Sequence, residues 1–339
     1  MSSETYCSSD YHLSFLDTPD FMVYFLHLFG CVALPIHVFG AYCILFRTPA
    51  HMSSVKWSLF NFHFWSCFVD FAMSFLITPF VVIPILGGYP YGLLTKLGMD
   101  GKVQTLLMIS SISVMLVSIV GIFENRFLVF ASRDHWWRRV RLPCLAVNYG
   151  YAGSYFLVNY YYMPEDQNYW RQYVLRMLPC LSESAKAGPM LVITDNPTFL
   201  LIPQVITITV VSIETFVLFK AIQNFLRQSS QQISWKTIEM QKKFMRALSF
   251  QLAIPLLIVE FPLTYIISAS VVKYHNQALN NVSLVIFASH GFFSTLAILS
   301  VHGPYREVVL KMFRLKGRRR PQVQQSVSIQ PRTSLFVPP

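Results

Sequence analysis

Three acidic side chains stand inside long apolar stretches: Asp70, Glu214 and Glu260. A charge at the centre of a bilayer costs at least about 2.5–3.5 kcal/mol on insertion scales. Such a carboxyl must therefore meet a partner inside a bundle or carry a proton. Two kinds of chemistry fit. One is polar glue between helices; the other is a ligand or switch site. Counting along the chain puts Asp70 near mid-depth of its stretch, Glu260 at similar depth or further out, and Glu214 in the inner half. His290, in the last apolar stretch, is expected as a polar neighbour at the outer level. Asp70, Glu260 and His290 are thus the candidates for lining a ligand pocket.

A second constellation closes the third apolar stretch: Glu124-Asn125-Arg126. An acid and an arginine here can form a local pair that opens when helices shift, and the bland alternative is an interfacial anchor with Arg126 snorkelling. Enzyme signatures are missing: the sequence has no P-loop, no dinucleotide glycine motif, no HExxH and no GxSxG. His27, His37 and His63 lie in apolar stretches but not at i, i+4 spacing, so bundle-facing histidines are expected rather than a metal site. Neither a metal nor a cofactor is expected. Cys7 and Cys180 are the cysteines outside the apolar stretches, and both fall on the side assigned below as oxidising, where a bridge can form. Asn281-Val282-Ser283 is a glycosylation sequon, expected to be poorly used because it abuts an apolar stretch.

These residues need elements to hold them. The chain is 54% hydrophobic and only 13% charged, whereas soluble domains carry about 25% charged residues. So little charge cannot cover a globule of 339 residues, and lipid is the solvent that suits the excess. Seven stretches are long enough to cross as helices: Phe21–Phe46, Trp57–Leu86, Val103–Phe130, Leu142–Tyr162, Pro197–Ile222, Met245–Val271 and Val282–Val301. The expected fold is an all-α membrane protein, a seven-helix bundle over 21–301. Prolines recur inside the stretches, and Pro255 with Pro262 is the pair best placed to act as a hinge.

Basic residues set the orientation. Of 27 Lys and Arg, only Lys96, Lys102, Arg171, Arg176, Lys186 and Lys273 fall on the side of the N-terminus. The rest fall on the other side, so residues 1–20 are expected outside and the C-terminal tail inside. The net charge of +11 is spread between apolar stretches, which argues against nucleic acid as a partner. From Tyr305 to Leu315 apolar and basic residues interleave, reading as an amphipathic helix on the inner leaflet. Residues 302–320 form this basic juxtamembrane region, and Lys316–Arg320 favours anionic lipid. Residues 321–339, rich in Gln, Ser and Pro, are expected to be disordered.

Several motifs, in order, resemble the nematode serpentine chemoreceptors of class H. They are IHVFGAYCILFRTP (Ile36–Pro49), SVKWSLFNFHFW (Ser54–Trp65), GGYPYG (Gly87–Gly92), Glu124–Arg126, SHGFFST (Ser289–Thr295) and HGPYR (His302–Arg306). The resemblance covers nearly the whole chain. It implies a seven-helix receptor in the membrane of chemosensory neurons, with a small-molecule stimulus and a heterotrimeric G protein as partners. It also implies that Glu124, Asn125, Arg126 and the third inner loop face the G protein. The terminal Val337-Pro338-Pro339 is similar to a ciliary-sorting ending. The alternatives are a ligand-gated odorant channel, against which the charge count argues, and a secondary transporter, for which internal repeats are missing.

Overall fold

The computed structural model describes residues 5–7, 11–131, 134–154, 156–194, 197–228 and 235–312. Helices dominate. Helix α1 (Pro19–Phe46) begins at Thr18, whose hydroxyl accepts from the Phe21 N–H at 3.2 Å, with Pro19 in the first helical position. Both are start signals, because they supply or remove a donor that the first turn leaves unpaired.

Helix α2 (Ser53–Phe71) continues through a π turn at Ala72–Leu76 and stops there. The sequence reading carried this helix to Leu86, and the structure corrects it. Pro79 and Pro84 lack the N–H a continuing helix needs, and the chain turns back as a hairpin. Strands β1 (Pro79–Val82) and β2 (Gly87–Pro90) pair antiparallel, with Val82 opposite Gly87. Strand β3 (Leu191–Val192) adds to β2, giving a three-stranded sheet in the order β1-β2-β3. The fold is therefore mostly helical rather than all-α. The GGYPYG motif has its physical reason here. Gly88 has φ +153°, and a Cβ on it would fall onto the Phe80 carbonyl; a Cβ on Gly92 would fall onto the Leu76 carbonyl.

After a short turn, α3 (Leu93–Lys96), the chain enters α4 (Gly101–Phe130), the most enclosed of the long helices. It packs against α2, against α5 (Trp137–Ser154) and against α9 (Pro197–Gln228). Helix α6 (Phe156–Tyr161) comes next in the chain and packs against α4 and α9. Helices α7 (Gln167–Met177) and α8 (Glu183–Ala187) then lie beside the sheet. Helix α10 (Trp235–Val271) is continuous through Pro262. The last apolar stretch is not one helix. It breaks at Ser289 into α11 (Gln277–Ala288) and α12 (His290–Val301), which pack against α1, α2 and α10.

Helix α13 (Gly303–Met312) closes the described chain, with buried Tyr305 hydrogen-bonded through its hydroxyl to Thr48 at 2.7 Å. Val308 and Val309 pack inward while Arg306 and Lys311 are exposed. The expected remainder of the amphipathic region, and residues 321–339, lie outside the described residues.

Five helical segments are long and apolar enough to cross a bilayer: Pro19–Phe46, Ser53–Leu76, Gly101–Phe130, Ile202–Gln228 and Gln277–Val301. Leu256–Val271 is a shorter apolar helix. Large apolar side chains such as Leu28, Val147, Val217 and Leu257 point outward and are more than half exposed. So many exposed apolar side chains suit lipid and not water.

Candidate ligand cavity and helix junctions

A cavity of about 280 Å³ lies under the sheet. Its walls come from the end of α2 (Met73, Ile77), the hairpin (Phe80, Tyr89), α4 (Met108, Ile112), α9 (Ile208), α10 (Leu263) and α11 (Phe287). Pockets for small molecules are largely apolar, with few polar groups, and this one is extreme. Glu260 is its one acidic lining residue, no Lys, Arg or His lines it, and Gln104, Gln204 and Thr105 supply most of the remaining polarity. A more polar recess with Asp100, Lys102 and Arg171 on its walls shares Pro90, Gln104 and Leu191 with the cavity.

Of the three candidate pocket residues, Glu260 lines the cavity, whereas Asp70 and His290 lie below it. Asp70, on α2, is 2% exposed and caps the first turn of α12. Its two carboxylate oxygens accept from Gly291 N–H at 3.2 Å and Phe292 N–H at 2.8 Å. A helix break exposes just such unpaired donors, and a carboxylate is the strongest acceptor for them. His290 Nδ1 stands 3.1 Å from the same carboxylate and 2.9 Å from the Phe287 carbonyl. His37 of α1 approaches with Nε2 at 3.2 Å, and its Nδ1 meets Thr295 Oγ1 at 3.0 Å. His63 reaches the His37 carbonyl at 3.0 Å. The junction thus ties α1, α2 and α12 together. Met73 and Phe287 border both the cavity and this junction in sequence. Glu214, the third acid, accepts from Asn148 Nδ2 at 2.8 Å, joining α9 to α5.

At the far end of α4 the expected pair of Glu124 with Arg126 is not formed. Residues two apart on a helix point roughly 200° from each other. Glu124, 1% exposed, instead receives Arg141 at 3.0 and 3.1 Å and the Trp137 indole N–H at 3.1 Å, all from α5. Arg126, 2% exposed, donates to Gln241 of α10 and stacks 5.6 Å over the Phe130 ring. Asn125 lies between them, half-buried, with its side-chain oxygen enclosed.

Comparison with known proteins places this architecture. The family model described as serpentine type 7TM GPCR chemoreceptor Srh matches residues 17–315. The chain belongs to this family. It is also 29% identical over 312 residues to serpentine receptor class H-72 of Caenorhabditis elegans, covering 88% of this chain and 87% of that protein. With the apolar helices described above, the family makes this Srh member a multi-pass membrane protein.

At the hairpin end of this Srh member, Cys7 and Cys180 are joined by a disulfide with Cα atoms 5.9 Å apart, a relaxed spacing. Tyr11 and the turn at Ser14–Asp17 are latched onto α11. The Tyr11 hydroxyl donates to Asp17 at 2.5 Å and accepts from the Gln277 N–H at 3.2 Å. Burial alone raises the Asp17 carboxyl, but hydrogen bonds from Tyr11 and Ser14 outweigh it and hold Asp17 below its usual range. His275, ahead of α11, lies against the hairpin with Nδ1 2.6 Å from the Ile83 carbonyl, and burial pushes its imidazole below the ordinary value.

Asn281, the sequon residue, is fully buried in this latch. Its Nδ2 donates to the Leu16 carbonyl at 2.7 Å and its oxygen accepts from Gln277 at 2.9 Å. A glycan needs that nitrogen. Asn281→Gln is therefore expected to leave gel mobility unchanged with or without deglycosylation, while lowering thermal stability by about 1–2 kcal/mol through lost buried hydrogen bonds. A mobility shift on enzymatic deglycosylation of the wild type that vanishes in the variant would show the site to be used.

Sequence reasoning expected His37 to face the bundle but missed its contacts with Asp70 and Thr295 and the break at Ser289. The signal was present in SHGFFST, where a glycine, serines and a threonine interrupt an apolar helix.

Proposed function

We propose that this Srh member is a chemosensory G-protein-coupled receptor that binds a small molecule in the cavity under the hairpin and activates a heterotrimeric G protein at the opposite end. The observation that carries this reading is the apolar cavity between α2, α4, α9, α10 and α11, about one helix turn along the chain from the Asp70 junction. The bundle crosses seven times, with α5 and α10 as the less apolar crossings, residues 1–20 outside and the tail inside. The charge bias of the loops and the Cys7–Cys180 bridge support this orientation. The plasma membrane, in the cilium of a sensory neuron, is the proposed location. Residues 302–320 contact anionic inner-leaflet lipid.

In the mechanism, ligand that packs against Met73 and Phe287 favours one of two packings of α2 against α11 and α12. Because α10 packs along α12 and reaches Arg126 through Gln241, a shift there alters the inner crevice at Glu124–Arg126. A receptor needs differential contacts in two states to signal, and these polar joints are the elements able to differ. The prolines Pro255 and Pro262 give α10 places to bend.

The test reconstitutes the chain in nanodiscs with a purified heterotrimeric G protein and a panel of small alcohols, ketones and amines. Nucleotide exchange is expected to rise for some members, and Ile112→Trp, which fills the cavity, is expected to abolish that rise. Arg126→Ala is expected to lower exchange at least tenfold with expression within twofold of wild type. Ion current or solute flux in membranes without G protein, and no exchange with any compound, would replace this reading by a channel or transporter. Tags probed in intact and permeabilised cells give the orientation independently. An N-terminal tag hidden in intact cells would overturn it.

A further inference from the structure

We infer that the cavity selects lipophilic amines: molecules with an alkyl or similar apolar body and one ammonium group, the ammonium held by Glu260. The inference rests on the proposed receptor reading and specifies the ligand class of that same cavity.

Three observations carry it. First, Glu260 stands on α10 at the margin of the cavity. Leu256, Val259, Glu260, Leu263 and Ile266 line the cavity at helical spacing, with Leu256 and Glu260 on its exposed edge beside Leu257 and Phe261, which are 71% and 66% exposed. Second, the Glu260 carboxyl has no hydrogen-bond or ion-pair partner among the described residues. This sets it apart from Asp70, Glu124 and Glu214, each of which is satisfied by a neighbouring helix. Intramembrane acids are costly and are kept with a partner. A partner that the protein lacks is one a ligand can bring. Third, the rest of the lining is aliphatic and aromatic and holds no basic side chain. An anionic ligand would meet a like charge and nothing to offset it. A neutral ligand would leave the acid unpaired. A cation would pair with it, and its apolar body would fill the remaining volume.

The body is constrained too. A cavity of about 280 Å³ stands at the lower end of small-molecule sites, roughly 300–1,000 Å³. It suits a single short chain or ring and excludes a two-chain lipid or a peptide. Affinity is expected to rise about fourfold per added methylene, from ~0.8 kcal/mol per buried CH₂, and then to fall once the cavity is full.

The experiment compares n-octylamine, 1-octanol and octanoate on the full chain in nanodiscs, read by thermal shift and by competition. Wild type is expected to bind octylamine at least tenfold tighter than octanol, with octanoate weakest. Glu260→Gln is expected to bring octylamine down to the level of octanol while octanol is unchanged. Leu263→Trp is expected to weaken all three, which separates cavity binding from partition into the bilayer. Equal binding of the three probes to wild type, or an amine preference that survives Glu260→Gln, would overturn the amine assignment and leave the cavity reading in place. Binding that is the same in wild type and Leu263→Trp would remove the cavity itself as the ligand site.

Discussion

Asp70→Ala is expected to destabilise the bundle by about 3–5 kcal/mol, the range for stripping one partner from a buried charged set, and to prevent delivery to the cell surface. The alanine would leave the Gly291 and Phe292 N–H groups facing no acceptor, and would take away the carboxylate that His37 and His290 approach at 3.2 and 3.1 Å. The imidazoles cannot turn to water, because His37 and His290 are at least 95% buried, and Gly291 is buried beside them. Asp70→Asn is expected to cost less, about 1–2 kcal/mol, since the amide oxygen still caps one N–H. Gly291→Ala tests the same joint without touching its charge. A Cβ there would stand 2.6 Å from Asp70 Oδ2 and 2.7 Å from the Ser66 carbonyl, so α2 and α12 must part. Thermal unfolding of purified protein in detergent ranks the three variants. Wild-type stability in Asp70→Ala would mean that the helix break at Ser289 is held by packing alone.

The sequence made the apolar helices legible because lipid imposes a length and a composition on each of them. It made Asp70 and Glu260 conspicuous for the same reason, since an acid in such surroundings has to be explained. What it did not make legible is which partner each acid finds. Asp70 meets the backbone of α12, and although SHGFFST marks an interruption of the helix, residue types do not say which acid will cap the N–H groups it frees. Glu124 and Arg126 sit two apart in the sequence and invite pairing, yet helical geometry sends them to α5 and α10 respectively. The hairpin was misread as the end of a helix because Phe80, Val81, Val82 and Ile83 are as apolar as the helix before them. Hydropathy alone cannot separate a buried strand from a buried helix, and the arbiters were Pro79, Pro84, Gly87 and Gly88. The membrane assignment left Cys7 and Cys180 as the cysteines outside the apolar stretches, where a bridge can form, and it is the structure that joins them.

Arg141→Ala is expected to be more damaging than Glu124→Gln, although the two residues form one pair. Side-chain exposure decides the asymmetry: 30% for Arg141 against 1% for Glu124. With Arg141 gone, the Glu124 carboxylate remains enclosed with only the Trp137 indole to serve it, and it has no route to water. The expected loss is about 3 kcal/mol, the lower end for an orphaned buried charge. With Glu124 replaced by Gln, the guanidinium can extend towards the headgroups, as long basic side chains do at membrane edges. The neutral amide still accepts from Trp137, and the expected loss is about 1 kcal/mol. The double variant Arg141→Ala/Glu124→Gln is then expected to recover part of the stability lost by Arg141→Ala alone, because it removes the stranded charge. Such recovery is a coupling that independent sites do not show. Strict additivity in thermal unfolding would mean that Arg141 holds α5 to α4 by packing of its stem. Recovery of stability in the double variant would identify the pair as the charged joint between these helices, beside the crevice where Arg126 contacts α10.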